Sequence, residues 1–178
     1  HRDHGLGFCV FNALGYTAKN LIAEGHVEKV LIFDLDVHQG DGTINICQGE
    51  PNIFTCSIHS ESNFPFEKKQ GWIDIALPTG TKDEAYLDTL NQTLQSIERS
   101  LTPDLVLFDA GIDVYTDDGL GNLELSIESI RKRDQLVFEH YRGKDIPVAT
   151  VIGGGYSKDT QELAHRHGLI FESAINYL

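Results

Sequence analysis

Val30-Leu31-Ile32-Phe33-Asp34-Leu35-Asp36-Val37-His38-Gln39-Gly40-Asp41-Gly42 carries both the fold and the chemistry of this chain in one stretch. Four consecutive apolar residues, rich in β-branched and aromatic types, predict a strand covered on both faces. In an extended chain, side chains at i, i+2 and i+4 point to one side. Asp34, Asp36 and His38 are therefore expected to converge at the strand's carboxyl end, before Gly40 and Gly42 let the chain turn away. Three ionisable groups facing together after a buried strand are costly unless a positive charge sits among them. The simplest occupant is a metal ion.

Working outward, Ile53–Cys56, Leu105–Phe108 and Val148–Ile152 have the same apolar character, and Trp72–Leu77, closed by Pro78 and Gly80, is a less regular fifth candidate. Helical patterns lie between them. Val10–Glu24 stops at Gly25, and Asp83–Ser100 carries Leu87, Leu90, Leu94, Ile97 and Leu101 before Pro103. Ser126 is placed to cap a helix with Ile127, Ile130, Val137, Phe138 and Tyr141, ended by Gly143. A last helix is expected over Thr160–Arg166, with Leu169–Leu178 a short strand or helix. Alternating strands and helices predict an α/β fold, a parallel sheet sandwiched by helices, in a single domain over residues 1–178.

Ligands of open parallel sheets bind at the carboxyl ends of strands, near a topological switch point. Here the strand ends offer Asp36 and His38, then Ser57 and His59, then Gly111-Ile112-Asp113, then Gly153-Gly154-Gly155-Tyr156. Asp34 and Asp36 taken singly suit turn carboxylates, but His38 in phase with them favours a metal. Asp113 can reach toward Asp36 and His38, and two carboxylates with one imidazole leave open positions on a divalent ion, as catalytic sites do. Zinc fits; iron, manganese and cobalt suit the same donors. The glycine run permits close approach of a ligand, and the Tyr156 phenol can donate to a polarised carbonyl. Ser57 and His59 are equally well read as buried groups satisfied by neighbours. His1, His4, His140, His165 and His167 are read as surface or core histidines.

Net charge −13 argues against nucleic-acid binding and is compatible with a cationic substrate, though an acidic surface also serves solubility. No segment has the apolar length to span a bilayer. Cys9, Cys47 and Cys56 show no CxxC spacing, which suits a reducing, cytoplasmic setting better than a disulfide framework. The sequence has no Met and begins His1-Arg2-Asp3-His4, so residue 1 is not expected to be the native N-terminus.

Ile32-Phe33-Asp34-Leu35-Asp36 is similar to the opening motif of haloacid-dehalogenase-type phosphatases, with Ser57 at their second motif. That family expects a small pair such as Gly-Thr where this chain has Val37-His38, and it gives Gly153–Tyr156 no role. Gly7-Phe8-Cys9-Val10-Phe11-Asn12, Asp34–Gly42, Ser57-Ile58-His59, Asp109–Asp113 and Gly153–Tyr156 together resemble the histone deacetylase superfamily, in order and spacing, over essentially the whole chain. Gln39, Phe64–Gln70, Leu120-Gly121-Asn122-Leu123 and Lys132–Phe138 resemble its class IV branch and bacterial relatives.

The resemblance implies an arginase/deacetylase-like three-layer fold and a zinc amidohydrolase that removes acyl groups from the ε-nitrogen of lysine. Acylpolyamines and small amides are alternative substrates. By position, Asp36, His38 and Asp113 would hold the metal and Tyr156 would donate to the carbonyl oxygen. Asp34, the main-chain oxygens of Asp36, His38 and Ile58, and the Ser57 hydroxyl would match the family's potassium site. Phe8 would line the acyl-lysine channel, with Cys9 and Gly154 near its floor and wall. The family's His-His general base and acid would fall just upstream of His1, leaving Asp34 and Asp41 without the histidines they orient. An N-terminally truncated chain with impaired activity is therefore expected, with a metal-binding, non-catalytic fragment as the alternative. The family's sheet order implies Val148–Ile152, Leu105–Asp109, Val30–Asp36, Ile53–Ser57, Trp72–Leu77. In that order Val148–Ile152 is an edge prone to self-association.

Overall fold

A computed structural model describes residues 1–177; Leu178, part of the last expected element, lies outside the described residues. Five parallel strands form one sheet, β1 (Val30–Asp34), β2 (Ile53–Ser60), β3 (Ile73–Leu77), β4 (Leu105–Asp109) and β5 (Val148–Val151). Their order is β3-β2-β1-β4-β5, the arrangement expected from the sequence. The helices are α1 (Ala13–Ala23), α2 (Asp41–Cys47), α3 (Asp83–Ser100), α4 (Ile127–Arg142) and α5 (Thr160–Ala174), followed by a 3₁₀ turn at Ile175–Tyr177.

The pleat of β1 divides the core into two layers. Val30 and Ile32 pack with Ile53 and Leu107 against Ala18 of α1 and Cys47 of α2. Leu31 and Phe33 join Val106 and Phe108 in the larger layer, under Leu90 and Ile97 of α3, Ile130 and Val137 of α4, and Leu169 of α5. Every residue of β1 is buried, and each apolar side chain so buried contributes about 1.5–3 kcal/mol. From β1 the sheet grows one way through β2 and β3, and the other way through β4 and β5. The switch point lies between β1 and β4.

Local chemistry moves several boundaries from where the sequence puts them. Helix α1 starts at Ala13 rather than Val10, because the Asn12 side chain accepts from the Gly15 N–H at 2.7 Å and caps it. Ser126 caps α4 as expected, accepting from Ser129 N–H. Helix α5 runs through Gly168 to Ala174, well past Arg166, since burial of Leu169 and Ile170 outweighs the glycine. The short helix α2 was not anticipated, because Gly40 and Gly42 read as a turn. Among the described residues no helix is long and apolar enough to cross a membrane.

Candidate metal centre

Strand β1 ends at Asp34, so Asp36 and His38 are not brought together by continued strand alternation. A chain of local hydrogen bonds does it instead. The Asp34 carboxylate accepts from the Asp36 N–H at 3.1 Å, and Asp36 Oδ1 accepts from the His38 N–H at 2.8 Å. Asp113 arrives from the loop after β4, its Oδ1 accepting from the Val37 N–H at 2.9 Å. His38 Nδ1 then lies 2.9 Å from Asp36 Oδ1 and 3.1 Å from Asp113 Oδ2. One donor atom from each of Asp36, His38 and Asp113 falls within 4.8 Å of the other two. Asp34 is not one of these three, though it lines the same cavity.

The buried carboxylates of the cluster raise one another's pKa values. Burial raises the Asp113 carboxyl to about 7, with the charge of Asp36 adding to it. Burial and the charges of Asp36 and Asp113 raise Asp109 to about 8, and burial with Asp109 and Asp36 raises Asp34 well above the carboxylate range. His38 shows the converse. Burial opposes its charge, yet hydrogen bonds to Asp113 and Asp36 push it up to about 10, so the imidazolium itself offsets part of the carboxylate charge. Oxygen and imidazole donors from three residues fit zinc with coordination positions to spare.

The glycines around the site are imposed by close approach. A Cβ on Gly154 would overlap the Asp113 and Asp36 carboxylates, and one on Gly111 would sit 2.7 Å from the Asp36 Cα. Gly154 is tied in by its own N–H, which donates to Asp36 Oδ2 at 2.7 Å. Tyr156 follows, its ring 6.3 Å from that of His38 and 6.0 Å from that of Phe8. Phe8 sits with Gly7 in a two-residue turn closed by Leu6 and Cys9, at φ 63°, a left-handed conformation costing a residue with Cβ about 1–2 kcal/mol. It is 86% exposed on the rim of a cavity of about 760 Å³, which Cys9, Gly154, Tyr156, Asp36 and His38 also line.

Two of the residues expected at a potassium site, Asp34 and Ser57, lie on adjacent strands. Register pairs Asp34 with Ser57 across β1 and β2, while the Ser57 hydroxyl engages His59 Nδ1 at 3.0 Å. Asp41 opens α2, and the imidazole of His1 lies 3.1 Å from it, a contact the sequence did not suggest.

Other residues of the site escaped the sequence. Phe64 faces the edge of the His38 ring at 6.5 Å and lines the same cavity. Gln39 clamps the main chain of Lys69 through both ends of its amide, at 2.8 and 2.7 Å. Arg133, fully buried on α4, donates to the carbonyls of Gly111 at 2.5 Å and of Leu35 and Ala110 at 3.3 Å, while its partner Asp134 lies 2.8 Å away. It thereby ties together the segments that carry Asp36 and Asp113. The signal for Phe64, Gln39 and Arg133 was their place in family-like segments; nothing in the sequence indicated that Arg133 is buried.

A family model described as the histone deacetylase domain matches residues 1–169. The chain belongs to this family. A protein of Picosynechococcus is 41% identical over 171 residues, covering 96% of this chain and 57% of that protein. Histone deacetylase 2 of Arabidopsis thaliana is 31% identical, over 94% of this chain and 46% of its own length. The crystal structure of a histone deacetylase homologue from Aquifex aeolicus superposes with a TM-score of 0.81 at 27% identity, over 96% of this chain and 48% of that one. The chain thus spans about half the length of the relatives it matches. Asp34-Leu35-Asp36 accordingly lies within a histone deacetylase domain rather than in the phosphatase family whose motif it also resembles.

Proposed function

We propose that this chain is the metal-binding part of a zinc-dependent deacylase acting on acyl-lysine peptides, acylpolyamines or related small amides. The observation that carries this is the convergence of Asp36, His38 and Asp113 donor atoms within 4.8 Å at the switch point, with Tyr156 beside them in an open cavity. A zinc ion held there would polarise the amide carbonyl and lower the pKa of a water toward ~7.

The chain's own residues supply the rest. Burial, reinforced by Asp36 and Asp113, pushes the Tyr156 phenol up to about 12, so it stays protonated and can donate to the developing oxyanion. Phe8 and Phe64 offer aromatic faces for the apolar stem of an acylated amine. Asp34, Ser57 and the main-chain oxygens of Asp36, His38 and Ile58 are proposed to hold potassium, offsetting the repulsion among buried carboxylates and orienting the ligands from behind. No two histidines are adjacent in this sequence. Proton transfer by a His-His pair is therefore unsupplied by these residues, a loss of about 10²–10⁴ in rate.

The test is zinc binding by equilibrium dialysis with hydrolysis of an acetyl-lysine peptide by the zinc-loaded chain. One zinc per chain and slow turnover are expected. No zinc binding overturns the reading, and turnover equal to that of ordinary family members overturns the impairment. Zinc binding with no turnover at all would favour a non-catalytic metal-binding module, which the missing histidine pair also suits.

A further inference from the structure

Tyr156, whose importance rests on the oxyanion role proposed above, is held in place by a second loop. Tyr156 follows three consecutive glycines, of which Gly154 is held by Asp36 and Ile112 but none fixes the tyrosine itself. The restraint comes from a different element. Asp118, in the turn five residues beyond Asp113, has a side chain that is 0% exposed, and both its carboxylate oxygens are engaged. Oδ2 accepts from the Tyr156 N–H at 2.7 Å, and Oδ1 accepts from the N–H groups of Leu120 and Gly121, each at 2.9 Å. The next residue completes the grip, because the Gly119 N–H donates to the Tyr156 carbonyl at 3.1 Å. Both main-chain polar groups of Tyr156 are thus held by Asp118 and Gly119.

The carboxylate is itself backed by α5. Arg166, with a side chain 1% exposed, places Nη1 3.6 Å from Asp118 Oδ2. Its guanidinium lies over the Tyr115 ring at 4.8 Å, and its Nε is 2.8 Å from Glu162. The same turn bears on the metal ligand. A Cβ on Gly121 would overlap the Asp113 carbonyl, and the Ile112 N–H donates to the Gly154 carbonyl at 2.7 Å. The ligand loop and the tyrosine loop are therefore fastened to one another, with Asp118 at the join.

We propose that Asp118 is the positioning residue for Tyr156, its carboxylate backed by Arg166 fixing the tyrosine against Asp113 so that the phenol meets the carbonyl oxygen of a bound acyl amide. Asp118 touches neither substrate nor metal in this scheme; it acts through Tyr156 alone. Buried carboxylates with several N–H donors form strong, directional anchors. A displacement of about 1 Å at a reacting group can cost up to ~10²-fold in rate.

The test is a double-mutant cycle in the intact native polypeptide that carries these residues, loaded with zinc. Asp118→Asn keeps the shape but cannot accept at both oxygens. It is expected to lower kcat by roughly 10- to 100-fold, with KM and zinc affinity little changed. In a Tyr156→Phe background it should cause no further loss, because the group it positions is gone. Arg166→Lys should give a smaller loss of the same kind, and it keeps the test decisive if Asp118→Asn fails to fold. A readout independent of turnover is ¹⁹F NMR of fluorotyrosine-labelled protein, in which the Tyr156 resonance, assigned by its loss in Tyr156→Phe, should shift or broaden in either variant. Losses that multiply in the double mutant, zinc affinity falling together with kcat, or an unchanged Tyr156 resonance would each overturn the proposal. A wild-type protein that neither binds zinc nor hydrolyses an acetyl-lysine peptide would overturn the functional reading instead, and the fluorine resonance would still decide the role of Asp118.

Discussion

His38 Nδ1 lies 3.1 Å from Asp113 Oδ2, across 75 residues of sequence and across the boundary between β1 and β4 where the sheet reverses its direction of growth. The pair exists because the segment after β1 and the loop after β4 leave the sheet on the same side and meet there. Replacing Asp113 by Ala removes a donor and leaves two, so zinc affinity should fall by more than the ~10–100-fold typical of changes outside the coordinating set. Competition with a chromophoric chelator measures it; affinity within a few-fold of wild type would remove Asp113 from the ligand set.

Tyr156→Phe deletes a hydroxyl and leaves every proposed ligand in place. The expected result is a fall in kcat on the order of 10²–10³-fold with zinc affinity unchanged. Steady-state kinetics on an acetyl-lysine peptide, alongside zinc titration, separates the two quantities.

Arg133 and Asp134 form a fully buried pair, and the guanidinium also occupies three carbonyls. Removing one member strands the other charge, so Arg133→Met should destabilise the fold by about 3–5 kcal/mol. The double substitution Arg133→Met/Asp134→Leu should recover part of that loss. Urea unfolding of the three proteins reads both effects.

His59 is buried with its ring against Ser57, and burial, assisted by the charge of Lys68, lowers its pKa from 6.5 to about 4. The unfolded chain therefore binds this proton before the folded one does. The sign follows: the contribution is intact above pH ~6.5 and is lost progressively as pH falls toward ~4. His59→Gln should lose less stability than wild type over that interval, as measured by urea midpoints at pH 7.5 and 4.5; equal losses would assign the acid sensitivity elsewhere.

Strand β5 forms one edge of the sheet, with Val151 38% and Ile152 54% exposed beside it. Unprotected edges of this kind template pairing with another chain. Self-association of residues 1–178 is expected, and Val151→Lys should weaken it. Sedimentation velocity at several concentrations provides the check, with a monomer at all of them counting against the edge as an interface.

How much of the site was legible depended on how local its causes are. Asp36, His38 and Asp113 follow largely buried strands within a few residues, and Tyr156 follows the half-exposed β5, so the succession of apolar runs placed all four at one end of the sheet. The expectation that strand alternation aligns Asp34 with Asp36 and His38 did not hold, because β1 stops at Asp34 and hydrogen bonds from side chain to main chain take over. Arg133 was hidden because a charge within an amphipathic helix normally points to water. Its burial depends on three carbonyls presented by other segments.

The sequence by itself determined the five strands, their parallel order, the residues offered at each strand end and the family to which they belong. The strands and the residues at their ends follow from apolar runs and punctuation by glycine and proline, short-range properties of the chain, whereas the order of the strands is what the family resemblance implied. Only the tertiary structure decided that Gly154 must lack a Cβ beside the ligands, that Phe64 faces His38, and that Asp118 and Arg133 brace the loops bearing Tyr156, Asp36 and Asp113. Those roles arise where segments distant in sequence leave a donor, an acceptor or a space for one another, and no single segment encodes what its neighbour will leave.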